Sequence, residues 1–181
     1  MMKKFILTTL FTATLFLQNP LWAASPYVGQ ETRTLKSLSP EQIEEYLSGK
    51  GMGLAKAAEL NHFPGPAHVL ELIEKLKLTP QQKQQIEKIF QEMQQAAKLL
   101  GKQIVDLEKY LDERFSTKKI DGPQLKKTLS EISELQGQLR YAHLYAHLLV
   151  KPLLNPQQIA DYDRLRGYHS AGSAGHSGHS H

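Results

Sequence analysis

Cysteine is absent from this 181-residue chain. No disulfide can brace it, so its fold must rest on helix packing or oligomerisation. The same absence excludes a thiol nucleophile and the lipid anchor that a bacterial export signal attaches to a cysteine. No serine stands in an elbow motif, and no run of useful length alternates as a strand does. The charged residues give no strong balance either. The net charge is +4, and residues 1–24 contribute Lys3 and Lys4 with no acid, which leaves +2 for the remainder. That is too mild to argue for nucleic acid. Together these absences point to a non-enzyme built of helices.

One apolar run stands out. Lys3 and Lys4 precede the apolar stretch from Phe5 to Leu17, Pro20 interrupts it, and Ala23-Ala24-Ser25 offers small residues for cleavage. This is the pattern of a secretory signal peptide, with the mature chain starting near Ala24 or Ser25. The run is short for a bilayer span, and no second candidate follows, so no stable membrane anchor is expected. An exported protein without an anchor points first to the periplasm, although the sequence does not itself separate that from full secretion. Four segments result: 1–24 as signal peptide, 25–65 as an N-terminal arm with short helices, 66–166 as a helical hairpin domain, and 167–181 as a disordered histidine-rich tail.

Six residues recur three times, as Leu38-Ser39-Pro40-Glu41-Gln42-Ile43, Leu78-Thr79-Pro80-Gln81-Gln82-Lys83 and Leu154-Asn155-Pro156-Gln157-Gln158-Ile159. Each copy is a helix start. Ser39, Thr79 or Asn155 accepts from a first-turn amide, and proline at the next position loses nothing by lacking an N–H. The glutamine three residues after the cap reaches back to close a capping box. Leu38 with Ile43, and Leu154 with Ile159, fit hydrophobic staples, whereas Lys83 breaks that pairing in the middle copy.

The copies predict helices from Pro40 to about Ser48, from Pro80 to about Phe115 and from Pro156 to about Arg166. Residues 25–37 are expected to form a loosely held arm. Gly49, Gly51 and Gly53 interrupt the first helix, Leu54–Leu60 fits a short helical turn, and Asn61–Pro66 is a turn from which Pro66 opens a helix to about Leu76. Gly49-Lys50-Gly51-Met52-Gly53 follows a helix rather than a strand, which argues for a helix end and a bend and against a phosphate loop.

The Pro80 helix is the most regular. Ile86, Phe90, Met93, Ala97, Leu100, Ile104, Leu107 and Leu111 are spaced by alternating fours and threes, as in a supercoiled helix. At 1.5 Å per residue the helix spans roughly 54 Å. Gly101 inside it costs about 1 kcal/mol relative to alanine unless a neighbouring backbone packs there. After the polar connection 116–124, Asp121 or Gly122 caps a second long helix with Leu125, Leu129, Ile132, Leu135, Leu139, Ala142, Ala146, Leu149 and Leu153 on one seam; Pro152 ends or kinks it near Val150. Two long helices joined by a short loop lie antiparallel. Ile89, Ala96 and Leu99 widen the first stripe beyond one seam, so the short helices or a second copy of the chain must cover the rest. The fold expected is all-α: a long antiparallel helical hairpin with additional short helices, arranged as a dimeric cradle.

Leu78-Thr79-Pro80-Gln81-Gln82 matches the L-T-x-x-Q motif of the Spy/CpxP family of bacterial periplasmic proteins, and Leu154-Asn155-Pro156-Gln157-Gln158 resembles that family's second copy with asparagine for threonine. The order agrees as well: signal peptide, first motif opening a long helix, hairpin, second motif opening the last helix. The resemblance covers residues 66–166. It implies a periplasmic, all-helical and often dimeric cradle. It further implies a stress-response binding protein, an ATP-independent chaperone (holdase) for unfolded periplasmic client proteins. Some members restrain an envelope sensor kinase, and relatives such as ZraP and CnrX bind transition metals. The alternative reading is therefore a periplasmic heavy-metal sensor or metal-buffering resistance protein. No cofactor is required for holding clients, and the metal reading calls for a transition ion, copper, zinc or nickel.

Metal ligands can be named. His143 and His147 stand four apart on the second long helix, which stacks two imidazoles on one face. His62, His68, Met52 or Glu71 can complete the set if the short helices fold back. The plain reading is that both imidazoles hydrogen-bond at a helix interface. His169, His176, His179 and His181 lie among glycine and serine, a composition suited to scavenging copper, zinc or nickel, or simply to a solvated tail. Glu87 with Gln91, and Glu108 with Asp112, suit a solvated face better than acid–base work. Lys98, Lys102, Lys109, Lys118, Lys119, Lys126, Lys127 and Arg140 lend the hairpin a positive surface, which suits amphipathic clients and equally serves solubility.

Overall fold

A computed structural model describes residues 25–168; residues 1–24, where a signal peptide is expected, and the histidines His169, His176, His179 and His181 lie outside the described residues. The chain divides into two compact units, residues 1–32 and 33–181. In the described part of the first, a 3-10 turn spans Gln30–Thr32, and the Thr32 hydroxyl donates to the Gly29 carbonyl at 2.9 Å.

The second unit is all helical among the described residues. Its helices are α1 (Pro40–Ser48), α2 (Lys56–Glu59), α3 (Pro66–Glu71), α4 (Ile73–Leu76), α5 (Pro80–Ser116), α6 (Gly122–Val150) and α7 (Pro156–Arg166), with a 3-10 turn at Lys151–Leu153 between the last two. The three repeated sextets open α1, α5 and α7, and each forms a complete capping box. Asp121 caps α6 by accepting from the Gln124 amide at 2.8 Å. The helix expected from Pro66 to Leu76 is broken at Leu72 into α3 and α4.

α5 and α6 form the antiparallel hairpin. Near the loop, Arg114 donates to Gln124 at 2.8 Å; at the other end, Gln82 donates to the Leu153 carbonyl at 2.7 Å. Every α5 position of the alternating seam is buried or half-buried. On α6 the deepest line differs from the expected one: Thr128, Ile132, Leu139, His143, Ala146, His147 and Val150 are buried, while Leu129 is exposed and Ala142 and Leu149 are only half-buried. A 3.5-residue seam assumes that α5 is the sole partner. A straight helix drifts from that repeat by about 20° per heptad, and α2 and α3 also pack on the C-terminal half of α6. Burial therefore rotates toward the histidines.

α1 crosses α5 at Gly101. A Cβ on Gly101 would run into the Tyr46 carbonyl oxygen and lie 2.7 Å from its carbonyl carbon. The glycine thus permits backbone contact between the two helices, and its helical penalty has a purpose. Leu35, Leu38 and Val105 bury one another beside this crossing, with Ile43 and Tyr46 packed against them. Leu35 is 2% exposed, and Lys36 and Ser37 reach Asp112 and Glu108 on α5 at 3.3 and 2.7 Å. Residues 35–37 are therefore pinned, which corrects the expectation of a loose arm there. Apolar spacing failed to reveal this because a single leucine does the anchoring.

The main core joins Val69, Leu76, Ile86, Val150, Leu154 and Tyr162, contributed by α3 to α7. Within it the two motif glutamines interlock. Gln82 donates to the Gln158 side-chain oxygen at 2.9 Å and to Leu153 O, while Gln158 donates back to Gln82 at 3.1 Å and to Leu76 O at 3.2 Å. Each side-chain oxygen also accepts the amide of its own cap residue, Thr79 or Asn155, at 2.9 Å. Both amide groups are thereby fully used, which is what a buried carboxamide requires.

Candidate functional site

A cavity of about 390 Å³ opens where the short helices fold onto α6. Gly49 ends α1 in the left-handed conformation, and the chain bends through Met52 and Gly53, both at positive φ, to bring α2 back. α2 then contributes Lys56 and Glu59, the α3 start contributes Gly65 and His68, and α6 contributes His143 and His147. Arg166 and Tyr168 close the far side, and Met93 reaches in from α5.

Glu59 is the hub. Its side chain is 12% exposed. Tyr162 and Tyr168 donate their hydroxyls to Oε1 at 2.5 and 3.1 Å, and Arg166 Nε stands 3.4 Å from the same oxygen. Oε2 is buried without a hydrogen-bond partner. Burial, then the hydrogen bond to Glu59, push the Tyr162 hydroxyl well above its usual titration range, so it stays a donor. Gly65 also gives its amide to Tyr162 at 3.4 Å.

His147 is 7% exposed, and its Nδ1 lies 2.7 Å from the Phe63 carbonyl oxygen. A carbonyl only accepts, so Nδ1 carries a proton; Glu59 Oε2 lies 3.7 Å from the same nitrogen. Gly65 is required beside it: a Cβ there would lie 2.7 Å from His147 Cε1 and 3.0 Å from Nε2. Lys151 stacks its ammonium 3.6 Å from the Phe63 ring centre and so steadies the accepting loop. His143 is 3% exposed, and its Nε2 is buried with no hydrogen-bond partner. Burial first, and then the neighbouring His147, hold His143 below the ordinary 6.5 and keep it neutral.

Of the residues offered as completing ligands, Met52 and His68 line this cavity with the histidine pair. His68 also bonds Glu71 at 2.9 Å. His62 does not join them; its Nδ1 pairs with Asp163 of α7 at 2.8 Å. Among the described residues, no group of three or more histidine or acidic side chains is arranged to hold a metal ion. The buried hub of Glu59, Tyr162, Arg166 and Tyr168 escaped the sequence reading. Glu59 lies 103 and 109 positions from Tyr162 and Tyr168, and on a four-residue helix it gave no signal.

A second surface carries chemistry of another kind. Tyr141, Tyr145 and Leu148 follow helical spacing along α6 and are exposed, and the two tyrosine rings stack at 5.3 Å. Leu129 on the same helix, and Leu99, Tyr110 and Phe115 on α5, are exposed too. Every basic residue named for the hairpin is exposed, with Lys102 and Lys127 paired to Asp106 and Glu131 one helical turn on. Glu108 and Asp112 hold Ser37 and Lys36, so they serve the docking of residues 35–37.

No helix among the described residues is long and apolar enough to cross a membrane. Comparison with curated proteins and with solved structures gives no match. The family model described as LTXXQ motif family protein matches residues 67–166, which run from α3 to the end of α7. That match takes in both interlocked glutamine motifs and the whole hairpin, and the chain belongs to the LTXXQ motif family, the Spy/CpxP type, a non-enzymatic and all-helical family whose members are in general periplasmic.

Proposed function

We propose that the protein is a periplasmic holdase that binds unfolded client proteins without nucleotide. The observation that carries this reading is the row Tyr141, Tyr145 and Leu148 left exposed on α6, preceded in the chain by the exposed Arg140, on a hairpin whose lysines are exposed as well. Contiguous exposed apolar side chains rimmed by charge mark binding surfaces. Stacked tyrosines offer a large contact area at little entropic cost, and the basic rim attracts amphipathic segments. Burial of the three side chains against a client stabilises a complex by about 25 cal/mol per Å² of apolar area covered. Aggregation of a reduced, unfolding client followed by light scattering tests the reading. Suppression at stoichiometric protein is expected, and Tyr141→Ser/Tyr145→Ser/Leu148→Ser weakens it with helix content unchanged. No suppression by the unaltered protein ends the holdase reading.

A second reading, metal sensing or buffering, is favoured by one observation: the buried, unpartnered Nε2 of His143, one helical turn from His147, on a cavity that Met52 and His68 also line. Imidazoles and a thioether suit a first-row transition ion of the copper, nickel or zinc kind.

A further inference from the structure

Sulfur is scarce in this chain, and what the described residues hold of it meets in one place. The sequence has four methionines and no cysteine. Met1 and Met2 fall in residues 1–24. Met52 and Met93, the only sulfur-bearing side chains among the described residues, line the same cavity. Met52 comes from the bend that brings α2 back, and Met93 from α5. Both are half-buried. Met52 also lines a second cavity of about 600 Å³, together with Lys56, Leu60 and Arg140. A water needs only about 10–15 Å³ of such space, so a small oxidant such as hydrogen peroxide has room beside both side chains.

The position of Met52 makes it sensitive to a change of polarity. Its φ is +46°, a conformation that a residue with a side chain keeps only where packing holds it. The bend also starts tight on α5, since a Cβ on Gly49 would lie 3.1 Å from the carbonyl oxygen of Gln94, the residue after Met93. Thioethers suit such a joint because they are apolar and adapt to irregular gaps. A methionine sulfoxide is polar and disrupts contacts of that kind. Hydrogen-bond donors around it are already engaged: Tyr168 and Arg166 serve Glu59 Oε1, and His147 Nδ1 serves the Phe63 carbonyl. Glu59 Oε2 is one more acceptor without a partner. Lys56, by contrast, is exposed. A sulfoxide oxygen is therefore drawn outward to Lys56 and water, and the bend moves with it.

We propose that Met52 and Met93 form an oxidant-sensitive joint, in which their conversion to sulfoxides loosens residues 49–55 and α2 from α5 and α6, and their reduction seats these residues again. In the oxidation a sulfur lone pair attacks one oxygen of hydrogen peroxide, and the O–O bond breaks as the S–O bond forms. The departing hydroxide takes the proton from the transferred oxygen and leaves as water. Sulfur gives up two electrons and the peroxide gains them. Methionine sulfoxide reductase reverses the step: two thiols supply the electrons, become a disulfide, and the oxygen leaves as water.

Treatment of the full chain with hydrogen peroxide tests the joint, with the modified residues located by peptide mass and amide hydrogen exchange followed before oxidation, after it and after the reductase. One added oxygen is expected on Met52 and one on Met93. The amides of Leu60, Phe63 and Val69, which bond the carbonyls of Lys56, Ala58 and Gly65, then exchange faster by on the order of tenfold, the scale set by a polar group left unpartnered in apolar surroundings. Amides around Ile104 and Leu139 keep their protection, and the reductase restores the rest. Met52→Leu/Met93→Leu nearly conserves volume, and in it peroxide leaves the exchange unchanged. Absence of oxygen from both residues overturns the proposal. Sulfoxides at both with unchanged exchange overturn it as well, and so does an equal loss of protection in the leucine variant. If that variant folds poorly, the unaltered chain decides: protection that returns as the two sulfoxides are reduced supports the joint, and a loss that outlasts their reduction overturns it.

Discussion

The first sextet and the other two have the same local chemistry and different fates. Ser39 and Gln42 close a capping box by bonding each other's backbone amides at the start of α1. Thr79–Gln82 and Asn155–Gln158 close equal boxes, but their glutamines also hold each other and the carbonyls of Leu153 and Leu76. One carboxamide therefore does two jobs in the second and third copies: its oxygen caps, and its NH2 group clasps. The α1 copy is fixed by other means, namely the Gly101 crossing and the leucines Leu35 and Leu38. The capping box decides where a helix starts; the surroundings decide what the start is attached to.

That contrast can be broken at its strongest point first. Gly101→Val places a branched side chain against the Tyr46 backbone and should cost about 3 kcal/mol, despite the better helix propensity of valine. Amide hydrogen exchange should show α1 losing protection while α7 keeps it. Equal loss in both would mean that α1 is not held independently. Next, Gln158→Ala strands the buried Gln82 amide, the Leu76 carbonyl and the Asn155 cap amide, for about 2 kcal/mol by chemical denaturation. Gln42→Ala should cost about 0.5 kcal/mol, since only an exposed box contact is lost. Similar values for the two substitutions would erase the distinction between copies.

The smallest effect separates the clasp from the cavity beside it. The glutamines do not titrate, whereas His143 does. Its folded pKa is depressed, so the unfolded chain binds the proton first as pH falls. The stability contributed by neutral His143 is complete above about 6.5 and declines below that value down to its lower folded pKa. Melting temperature between pH 8 and 5 should therefore fall with a shallower slope in His143→Gln, while Gln158→Ala keeps the slope of the unaltered protein. An unchanged slope in His143→Gln would remove this imidazole from the pH response.

Much of the scaffold could be read in one dimension. Proline after Ser39, Thr79 and Asn155, with glutamine two further on, marks three helix starts to the residue. The seam of α5 was likewise visible in its spacing. The α6 seam was not, because α2 and α3 share its burial and move it onto His143 and Val150. The candidate site was half visible. The i, i+4 histidines announce themselves, but nothing in the order of residues shows that His147 Nδ1 would face Phe63 O, or that Met52 and His68 would share the cavity while His62 would not.

The sequence alone determined where α1, α5 and α7 begin, because caps and prolines act over four or so neighbours. Tertiary structure alone decided that two glutamines 76 positions apart would share their hydrogen bonds, that Gly101 would admit a crossing backbone, and that a buried carboxylate would gather Tyr162, Arg166 and Tyr168. Those pairings arise from desolvation. A polar group removed from water must find whatever partner the packed chain brings within 3 Å or so, and no local pattern specifies which one that is.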